Sequence, residues 1–380
     1  MNLLMICAAY KPAYVYGGPT MSVSVLSEQL VRAGVSIEVY ATTANGKEEL
    51  PVTPGERVMV GDVPVTYFRR LTKDHSHFSP GMCKALFKTS PEFDIIHIHA
   101  WWNLVSLFSC LIALIRGVPV VVSPRGTLSP YSFQNKHIGP KWLIHHLLGK
   151  HLLNRSHLHL TSEREREAVR ALVRPKSITV IPNFVDIPPL AFLPERRASG
   201  VFRLLFFSRI EEKKGLDLLI KSLPGLTFTY RLTIAGSGDE DYIALLKDLA
   251  TELGVGTSVD WAGFQGADKF QLLQEHDLFV LPSYDENFGN TVIESLSVGT
   301  PVLISENVGL SDYIRDRKAG WICQAAPESI AAELNVIFGQ RQEDLKRIRR
   351  EAPGNIRADF KPENLVARYI EMYHTILSHG

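Results

Sequence analysis

The sequence predicts an α/β protein made of two successive doubly wound domains of similar size. Its 380 residues exceed the usual size of a single domain. Short apolar runs rich in β-branched residues alternate with amphipathic stretches, which is the pattern of parallel strands covered by helices. A proline-rich connector after Ile181 interrupts this alternation, which then begins again. We therefore expect a first domain over residues 1–181 and a second over residues 182–361.

The alternation places six strands in each domain. Those of the first domain are expected near Leu3–Ala8, Val35–Thr42, Val63–Arg69, Ile95–His99, Val118–Val122 and His157–Thr161. Those of the second domain are expected near Arg203–Ser208, Arg231–Ala235, Val259–Ala262, Leu278–Pro282, Pro301–Ser305 and Gly320–Cys323. Ligands of doubly wound sheets bind at the carboxyl ends of the strands, so the loops that follow strands are the candidate site segments.

Two helices near the ends of the chain are well marked. Pro19 suits the first turn of one helix, and Gly34 follows as its stop. The other helix covers about residues 362–380, and we expect it to cross back and pack on the first domain. Its apolar face consists of Leu365, Tyr369, Met372 and Tyr373.

The composition argues against some classes of protein. Apolar residues make up 45% of the chain and charged residues 21%, which is ordinary for a globular protein with packed cores. The 41 lysines and arginines nearly balance the 40 aspartates and glutamates, whereas a general nucleic-acid binder usually carries a basic excess. We therefore expect no nucleic-acid partner.

The cysteines and the start of the chain predict a cytoplasmic protein. Cys7, Cys83, Cys110 and Cys323 are too far apart in sequence for a zinc knuckle or a redox pair, and are expected to be buried thiols. No basic region precedes the first apolar run, so no signal peptide is expected. The longest stretch without charged residues, Ile95 to Ile115, divides better into a strand and a helix than into a membrane span.

Two cations follow the first strand of the second domain. Arg209 and Lys214 lie five residues apart in a strand-to-helix loop, so both can face one site beside a helix amino end. Cationic side chains and free backbone N–H groups at such a place suit a diphosphate. The alternative is a solvated run of charge, because Glu211 and Glu212 alternate with the basic residues. This loop alone does not decide between the two interpretations.

The most specific segment follows the fourth strand of the second domain. Glu286 lies in the loop, and Glu294 lies eight positions later inside the next helix. A carboxylate can accept two hydrogen bonds from a diol, so paired glutamates suit sugar hydroxyls. The N–H groups of Gly289, Asn290 and Thr291 at the helix amino end suit phosphate oxygens. The alternative is that both glutamates are ordinary residues of a helix and its start.

A loop with weaker signals follows the second strand of this domain. Gly236 and Gly238 would let a ligand approach the backbone closely, and a plain turn is the alternative. Asp239 and Asp241 form an acid-x-acid pair that either binds a metal or simply begins a helix.

Three loops of the first domain carry further candidates. Gly17 and Gly18 follow the first strand without the Gly-x-Gly-x-x-Gly fingerprint, so we expect no nicotinamide cofactor. His97 and His99 alternate along a strand onto one face, and we expect one to line the site and the other to pack in the core. They could also bind a metal, but no third ligand is evident. Arg125 follows the next strand and either faces the site or forms a structural ion pair.

Together these loops resemble the retaining nucleotide-sugar glycosyltransferases of family 4, which have the GT-B fold of two Rossmann-like domains facing a central cleft. The segments that match occur in the family's order and cover nearly the whole chain. They are Tyr16 to Pro19, Ile181 to Asp186, Ser208 to Leu216, Ile234 to Gly238, and Glu286 with Glu294.

The resemblance implies a role for each residue. The catalytic residues would be Arg209 and Lys214, which hold the donor diphosphate, and Glu286, which holds the donor sugar. Glu294 would bind the ribose hydroxyls, and backbone near Phe264 and Gln265 would hold the base. The remaining donor contacts would come from Gly17, Gly18, Gly236, Gly289, Asn290 and Thr291.

One position departs from the family's pattern. In many relatives a histidine stands where this sequence has Arg125. Arg125 therefore either takes over the contact to the donor sugar or serves an acidic or phosphorylated acceptor. His99 is the second candidate for a contact to the acceptor or the donor sugar.

The resemblance also implies an activity. A sugar would pass, with retention, from a nucleotide-diphosphate sugar to a hydroxyl of a saccharide or lipid-linked saccharide, in bacterial polysaccharide or lipopolysaccharide synthesis. The first domain would bind the acceptor and the second the nucleotide sugar. No cofactor or metal is expected, because cations and helix N–H groups balance the diphosphate charge. A nucleotide-sugar epimerase of the same fold and a non-catalytic saccharide-binding subunit are the alternatives.

The basic segment Lys141 to Arg155 bears on the location of the protein. It is amphipathic and contains Trp142. Such a helix either lies peripherally on an anionic membrane surface or is an ordinary domain helix. The inner face of the cytoplasmic membrane is therefore an alternative to the open cytoplasm.

Overall fold

The chain divides into two compact units, each built on its own parallel sheet. The computed structural model describes residues 1–129, 131, 145–189, 200–266 and 268–378. The first unit consists of Met1–Phe184 with Pro362–Gly380, and the second of Val185–Lys361. The predicted α/β fold class with two Rossmann-like units is confirmed.

The first unit contains ten of the described strands. They are β1 Asn2–Ile6, β2 Ser36–Thr42, β3 Ala44–Asn45, β4 Glu48–Glu49, β5 Arg57–Val60, β6 Val63–Phe68, β7 Ile95–His99, β8 Val120–Ser123, β9 His157–Leu160 and β10 Ser177–Val180. The helices described in its amino-terminal part are α1 Gly18–Arg32, α2 Pro80–Thr89, α3 Leu104–Ile115, α4 Lys150–Asn154 and α5 Glu163–Leu172.

The topology of this unit places three candidate loops near one edge of the sheet. The strand order is β10-β9-β8-β7-β1-β2-β6-β5, parallel except for the antiparallel edge pair β5 and β6. The strands from β2 to β6 that belong to this sheet lie on one side of β1. The chain then crosses back, and β7, β8, β9 and β10 follow in order on the other side of β1. In such sheets, ligands bind at the carboxyl ends of the strands beside this switch point. Gly17 and Arg125 lie in the loops after β1 and β8, and His99 is the last residue of β7.

The second unit has the strand order of a complete Rossmann sheet. Its described strands are β11 Phe202–Phe207, β12 Tyr230–Ala235, β13 Val259–Gly263, β14 Leu278–Leu281, β15 Val302–Ser305 and β16 Gly320–Cys323. Its described helices are α6 Leu216–Ser222, α7 Glu240–Glu252, α8 Lys269–Glu275, α9 Asn290–Ser297, α10 Ser311–Arg317, α11 Pro327–Gln340 and α12 Gln342–Asp359. The order β13-β12-β11-β14-β15-β16 is wholly parallel, and its switch point lies between β11 and β14.

The last helix, α13 Pro362–Ser378, packs in the core of the first unit. Its Tyr369 and Tyr373 are fully buried among residues of β1, β2 and α1. Complete burial of a large apolar side chain stabilises the fold by about 1.5–3 kcal/mol relative to exposure. The apolar face inferred from the sequence is therefore the face that packs.

Two further sequence predictions concern thiols and membranes. Cys7, Cys110 and Cys323 are buried free thiols, whereas Cys83 is only half-buried, so that part of the prediction was wrong. No helix in the described part of the chain is long and apolar enough to span a membrane. In the basic segment Lys141 to Arg155, for which membrane contact and an ordinary domain helix are the alternatives, residues 141–144, including Trp142, lie outside the described residues. The described part contains α4, in which Leu152 and Leu153 are buried.

Candidate active site

The loop after β11 packs closely against the residues that follow β14. A short 3-10 turn, Glu212–Lys214, is followed by Gly215 with a left-handed φ of 69°. A Cβ at Gly215 would overlap the carbonyl oxygen of Pro282, so only glycine fits. The N–H of Tyr284 also donates to the carbonyl of Lys213 at 2.9 Å. These contacts join the two loops that flank the switch point.

Lys214 and Glu286 form a buried ion pair at that junction. The Lys214 Nζ donates to Glu286 Oε2, and the two side chains are 9% and 18% exposed. Burial would raise the pKa of Glu286, but Lys214, Lys213 and the N–H of Phe288 outweigh it and hold this pKa below its usual value. Glu286 is therefore an ionised acceptor beside an ammonium group.

Arg209 lies in the same loop but is more exposed. Its Nη1 pairs with Glu211 Oε1 at 2.5 Å, and its side chain is 47% exposed. Burial, together with the charges of Lys214 and Arg209, lowers the pKa of Lys213, although Glu286 and Glu211 oppose this. The charges of this loop are thus close enough to act on one another. The exposed ion pair of Arg209 with Glu211 agrees with the alternative interpretation of part of this loop as a solvated run of charge.

The loop after β14 leads directly into a helix amino end. The N–H of Glu286 donates to Asn307 at 3.1 Å, and its carbonyl accepts from Gly309 at 2.8 Å. Gly289 caps α9 with a φ of 97°. The first N–H groups of a helix have no carbonyl partner four residues earlier within it, so those at Gly289, Asn290 and Thr291 can face an anion.

Glu294 lies in the second turn of α9 and has a partner that the sequence analysis missed. Lys269 Nζ, at the start of α8, donates to Glu294 Oε1 at 2.9 Å. Burial raises the pKa of Glu294, and Asp186 adds to this, while Lys269 lowers it. Because Lys269 follows the carboxyl end of β13, its position after a strand was a signal that could have drawn attention to it.

The Lys269→Met variant is expected to bind nucleoside diphosphate more weakly as the pH falls. Without Lys269 the pKa of Glu294 should rise further, so the carboxylate predicted to accept the ribose hydroxyl hydrogens would be lost at a higher pH than in the wild type. Calorimetric Kd values between pH 5 and 8 measure this, with Lys221→Met, which breaks an exposed pair with Asp217, as the control. Parallel pH profiles for variant and wild type would show that Lys269 does not maintain Glu294.

The other predicted donor residues of the second unit lie at the ends of β12 and β13. Gly236 donates its N–H to Gly263 at 2.7 Å. Phe264 is 76% exposed, and Gln265 Nε2 donates to the carbonyl of Ala262 at 2.8 Å. These positions place a glycine, an aromatic ring and an amide near the same sheet edge as the ion pairs.

Asp239 serves as a helix cap. It accepts the N–H of Tyr242 at 3.1 Å at the start of α7. The structure therefore supports the helix-start interpretation of the Asp239 and Asp241 pair. Within the described residues, no group of three or more His, Cys, Asp or Glu side chains could hold a metal ion.

In the first unit the glycine loop opens into α1. Gly17 caps the helix with a φ of 64°, and no heavy atom lies within 4 Å of a Cβ built there. Gly18 is the first residue of the helix. Tyr16 accepts the N–H of Gly46 at 3.1 Å, which supports the loop from the side. Space at the amino end of a helix is compatible with the predicted phosphate or acceptor contact.

Both strand histidines are buried, so the expected division between core and site is not what the structure shows. His97 is inaccessible and His99 is 2% exposed. His97 uses both ring nitrogens, with Tyr373 at 2.8 Å and Ser123 at 2.6 Å. Ser123 also contacts His159 at 2.6 Å. With its two nitrogens engaged, His97 is not available as a metal ligand.

Arg125 lies at the end of β8 in the left-handed region, with a φ of 53°. Its Nη1 donates to Asn183 Oδ1 at 2.9 Å, and its Nε and Nη2 lie 3.4 Å from His99 Nδ1. Among the described residues, no carboxylate lies within 4 Å of this guanidinium. The sequence-based alternative of a structural ion pair is therefore not what the structure shows.

The structure joins some candidates directly and leaves others apart. Lys214 is joined to Glu286, and His99 to Arg125. The described hydrogen bonds and ion pairs do not link Arg209 to Lys214, or Glu286 to Glu294. The members of each pair follow the carboxyl ends of strands of the same sheet.

Comparison with known proteins identifies the family. Residues 17–183 match the family described as "Glycosyl transferase 4-like domain", and residues 194–354 match "Glycosyl transferases group 1". The chain belongs to the family 4 glycosyltransferases. The two matches lie one in each unit and together span most of the sequence.

Individual relatives agree with this assignment. An uncharacterized glycosyltransferase of Methanocaldococcus jannaschii is 28% identical, with 87% of each chain covered. A D-inositol 3-phosphate glycosyltransferase of Stackebrandtia nassauensis is also 28% identical, over 82% of this chain and 76% of that one. The crystal structure of HepE from Anabaena with UDP and glucose has a TM-score of 0.75 at 20% identity, over 99% of this chain and 100% of that one. The last similarity shows that the GT-B fold is shared.

Proposed function

We propose that this glycosyltransferase moves a sugar from a nucleotide-diphosphate sugar to a hydroxyl of a saccharide or lipid-linked saccharide, with retention and without a metal ion. The observation that carries the proposal is the buried pair of Lys214 and Glu286 at the switch point of the second unit. An ammonium group and an ionised carboxylate, held side by side, suit a diphosphate and sugar hydroxyls respectively.

The chemistry follows from what these groups can stabilise. The bond between the anomeric carbon and the diphosphate oxygen breaks, and negative charge develops on the diphosphate. The acceptor oxygen bonds to the anomeric carbon on the same face, and its proton passes to a diphosphate oxygen. An ammonium has three N–H donors, so Lys214 can bind the diphosphate while it still contacts Glu286. Arg209 and the α9 amino end add further positive potential.

Glu286 and Glu294 are proposed to select the donor. Ionised Glu286 accepts hydroxyl hydrogens of the sugar, and Glu294 accepts those of the ribose. Phe264 and Gln265 would flank the base, and Gly236 would allow the backbone to approach. HepE has been solved with UDP and glucose, which is compatible with such a donor.

The proposed acceptor side is the first unit. Gly17, Gly18, His99 and Arg125 would contact the acceptor or the donor sugar there. One similar protein is named for an inositol phosphate acceptor, so sugar-like polyols belong in an acceptor panel. Bacterial polysaccharide or lipopolysaccharide assembly is the proposed setting, in the cytoplasm or at the inner face of the membrane.

A panel of nucleotide sugars tests the function. The protein is incubated with each donor, with and without saccharide acceptors, and nucleoside diphosphate release is measured. The anomeric configuration of the product is then read from its NMR coupling constants. Donor consumption with an inverted product would overturn retention. Isomerised nucleotide sugar without nucleotide release would indicate an epimerase, and binding without turnover would indicate a saccharide-binding subunit.

Excess chelator is expected to leave the rate of nucleoside diphosphate release unchanged. Lys214, Arg209 and the helix N–H groups already provide the positive charge that a leaving diphosphate needs. The assay compares rates in EDTA with rates in added magnesium or manganese. Loss of activity in EDTA that is restored by a divalent cation would contradict metal-independent transfer.

A further inference from the structure

Within the described part of the chain, the guanidinium of Arg125 is in contact with uncharged groups only. Arg125 is half-buried, and its close contacts are Asn183 and the imidazole of His99. Burial, followed by the repulsion that a protonated ring would meet from His97, Arg125 and His159, keeps the pKa of His99 well below its usual range. Since the Arg125 guanidinium has only N–H donors, His99 Nδ1 must accept and the ring hydrogen lies on Nε2.

The carboxylate of Glu165 acts on Arg125 electrostatically but has its hydrogen bonds elsewhere. Glu165 accepts the N–H of Gly126 at 2.7 Å and the N–H of Thr161 at 2.8 Å, and the Thr161 hydroxyl at 3.1 Å. The carboxylate oxygens of Glu165 lie more than 4 Å from the guanidinium nitrogens of Arg125. The hydrogen bond from Gly126 to Glu165 fixes the turn at Gly126, and therefore the backbone from which the Arg125 side chain extends.

A rigid polar chain supports this arrangement from behind. Tyr373 contacts His97, His97 contacts Ser123, and Ser123 contacts His159, at 2.6–2.8 Å throughout. The rings of His97 and His99 lie 4.2 Å apart between centroids. The ring nitrogen Nε2 of His99 is buried and has no hydrogen-bond partner among the described residues. Arg125 also has a left-handed φ, which is strained for a non-glycine residue, and such strain clusters at functional sites.

We propose that Arg125 forms a subsite for an anionic group, a phosphate or a carboxylate, carried by one of the two sugar substrates. The inference rests on the proposed function and names a chemical feature of its substrate. The guanidinium has five N–H donors, and the described residues in contact with it supply two acceptor atoms, Asn183 Oδ1 and His99 Nδ1. The remaining donors suit a bidentate oxyanion, which would supply a contacting charge partner that the described residues do not. His99 and Asn183 act as positioning residues.

Chemical modification tests the subsite without any need for turnover. Phenylglyoxal labelling of Arg125 is followed by peptide mass spectrometry, with the exposed Arg116 as an internal control. Glucose 6-phosphate and glucuronate are expected to slow labelling of Arg125 at least about fivefold, while glucose is not. Labelling of Arg116 should be the same in all samples. An Arg125 that does not react, or one that neutral and anionic sugars protect equally, would overturn the inference.

Activity measurements identify which substrate carries the anion. The donor arm compares UDP-glucuronate with UDP-glucose, and the acceptor arm compares phosphorylated with neutral sugars. Arg125→Gln is expected to reduce the preference for the anionic member by about 10- to 100-fold in one arm, and Arg125→Lys by less. Arg116→Gln should preserve the preference. A reduction of the same size for both members of every pair would indicate a structural role. If no panel compound turns over, the proposed function fails while the labelling result still stands.

Discussion

The Lys214→Ala variant is expected to lose about 10²- to 10³-fold in kcat, because one charge-assisted contact to the leaving diphosphate disappears. That contact strengthens as negative charge develops, so the loss should appear in kcat more than in the KM for the donor. Steady-state nucleoside diphosphate release with the best donor of the panel measures both constants. The matched control is Lys213→Ala, since Lys213 lies next in the chain but its side chain is 39% exposed and 3.8 Å from Glu211.

The same variant makes a prediction about stability. In the wild type the pKa of Glu286 lies below its usual value, so the stability that this carboxylate contributes is present above the unfolded-state pKa and is lost as the pH falls through the folded-state pKa. Without Lys214 the pKa of Glu286 should rise, because burial acts with less opposition. The difference in unfolding free energy between variant and wild type should therefore be larger at pH 7 than at pH 4. A variant that is folded, keeps most of its kcat and shows no such pH dependence would exclude Lys214 from the diphosphate site.

The central strands were predictable from sequence because burial on both faces leaves little choice of residue. The prediction for β7 matches the structure at both ends, and that for β11 is displaced by one residue. The strands that were missed lie at edges or in a hairpin. The edge strand β10, Ser177–Val180, is exposed or half-buried along its whole length, so its apolar pattern is weak. The antiparallel edge strand β5 alternates exposed and half-buried residues for the same reason.

The proximity of Lys214 and Glu286 could be anticipated because both follow strands that meet at the switch point of the sheet. The partnership of Lys269 with Glu294 could not, because it depends on how two short helices pack against each other. The chain from Tyr373 to His97 joins residues 276 positions apart in sequence. Only the packing of α13 on the first unit brings them together. Sequence patterns report which residues face a core, but not which polar groups pair inside it.

The Gly236→Ala variant is expected to lose about 2–6 kcal/mol of unfolding free energy, since backbone strain and overpacking each cost roughly 1–3 kcal/mol. Gly236 has a φ of 145°, which side chains rarely allow, and an added Cβ would overlap the carbonyl oxygen of Ser208. Relief requires the end of β11 to move away from β12. Because Arg209 directly follows Ser208, that movement would also displace the loop proposed to bind the diphosphate.

Denaturant unfolding and the Kd for nucleoside diphosphate measure the two consequences of Gly236→Ala separately. Gly339→Ala is the matched control, because Gly339 lies in α11 with no heavy atom within 4 Å of the added Cβ. That change should instead stabilise the helix by about 0.5–1 kcal/mol. If Gly236→Ala were as stable as the wild type, the close approach of β12 to Ser208 would not constrain the fold. If it were less stable but bound nucleotide normally, the position of the Arg209 loop would not depend on Gly236, and the proposed role of that glycine in donor binding would be wrong.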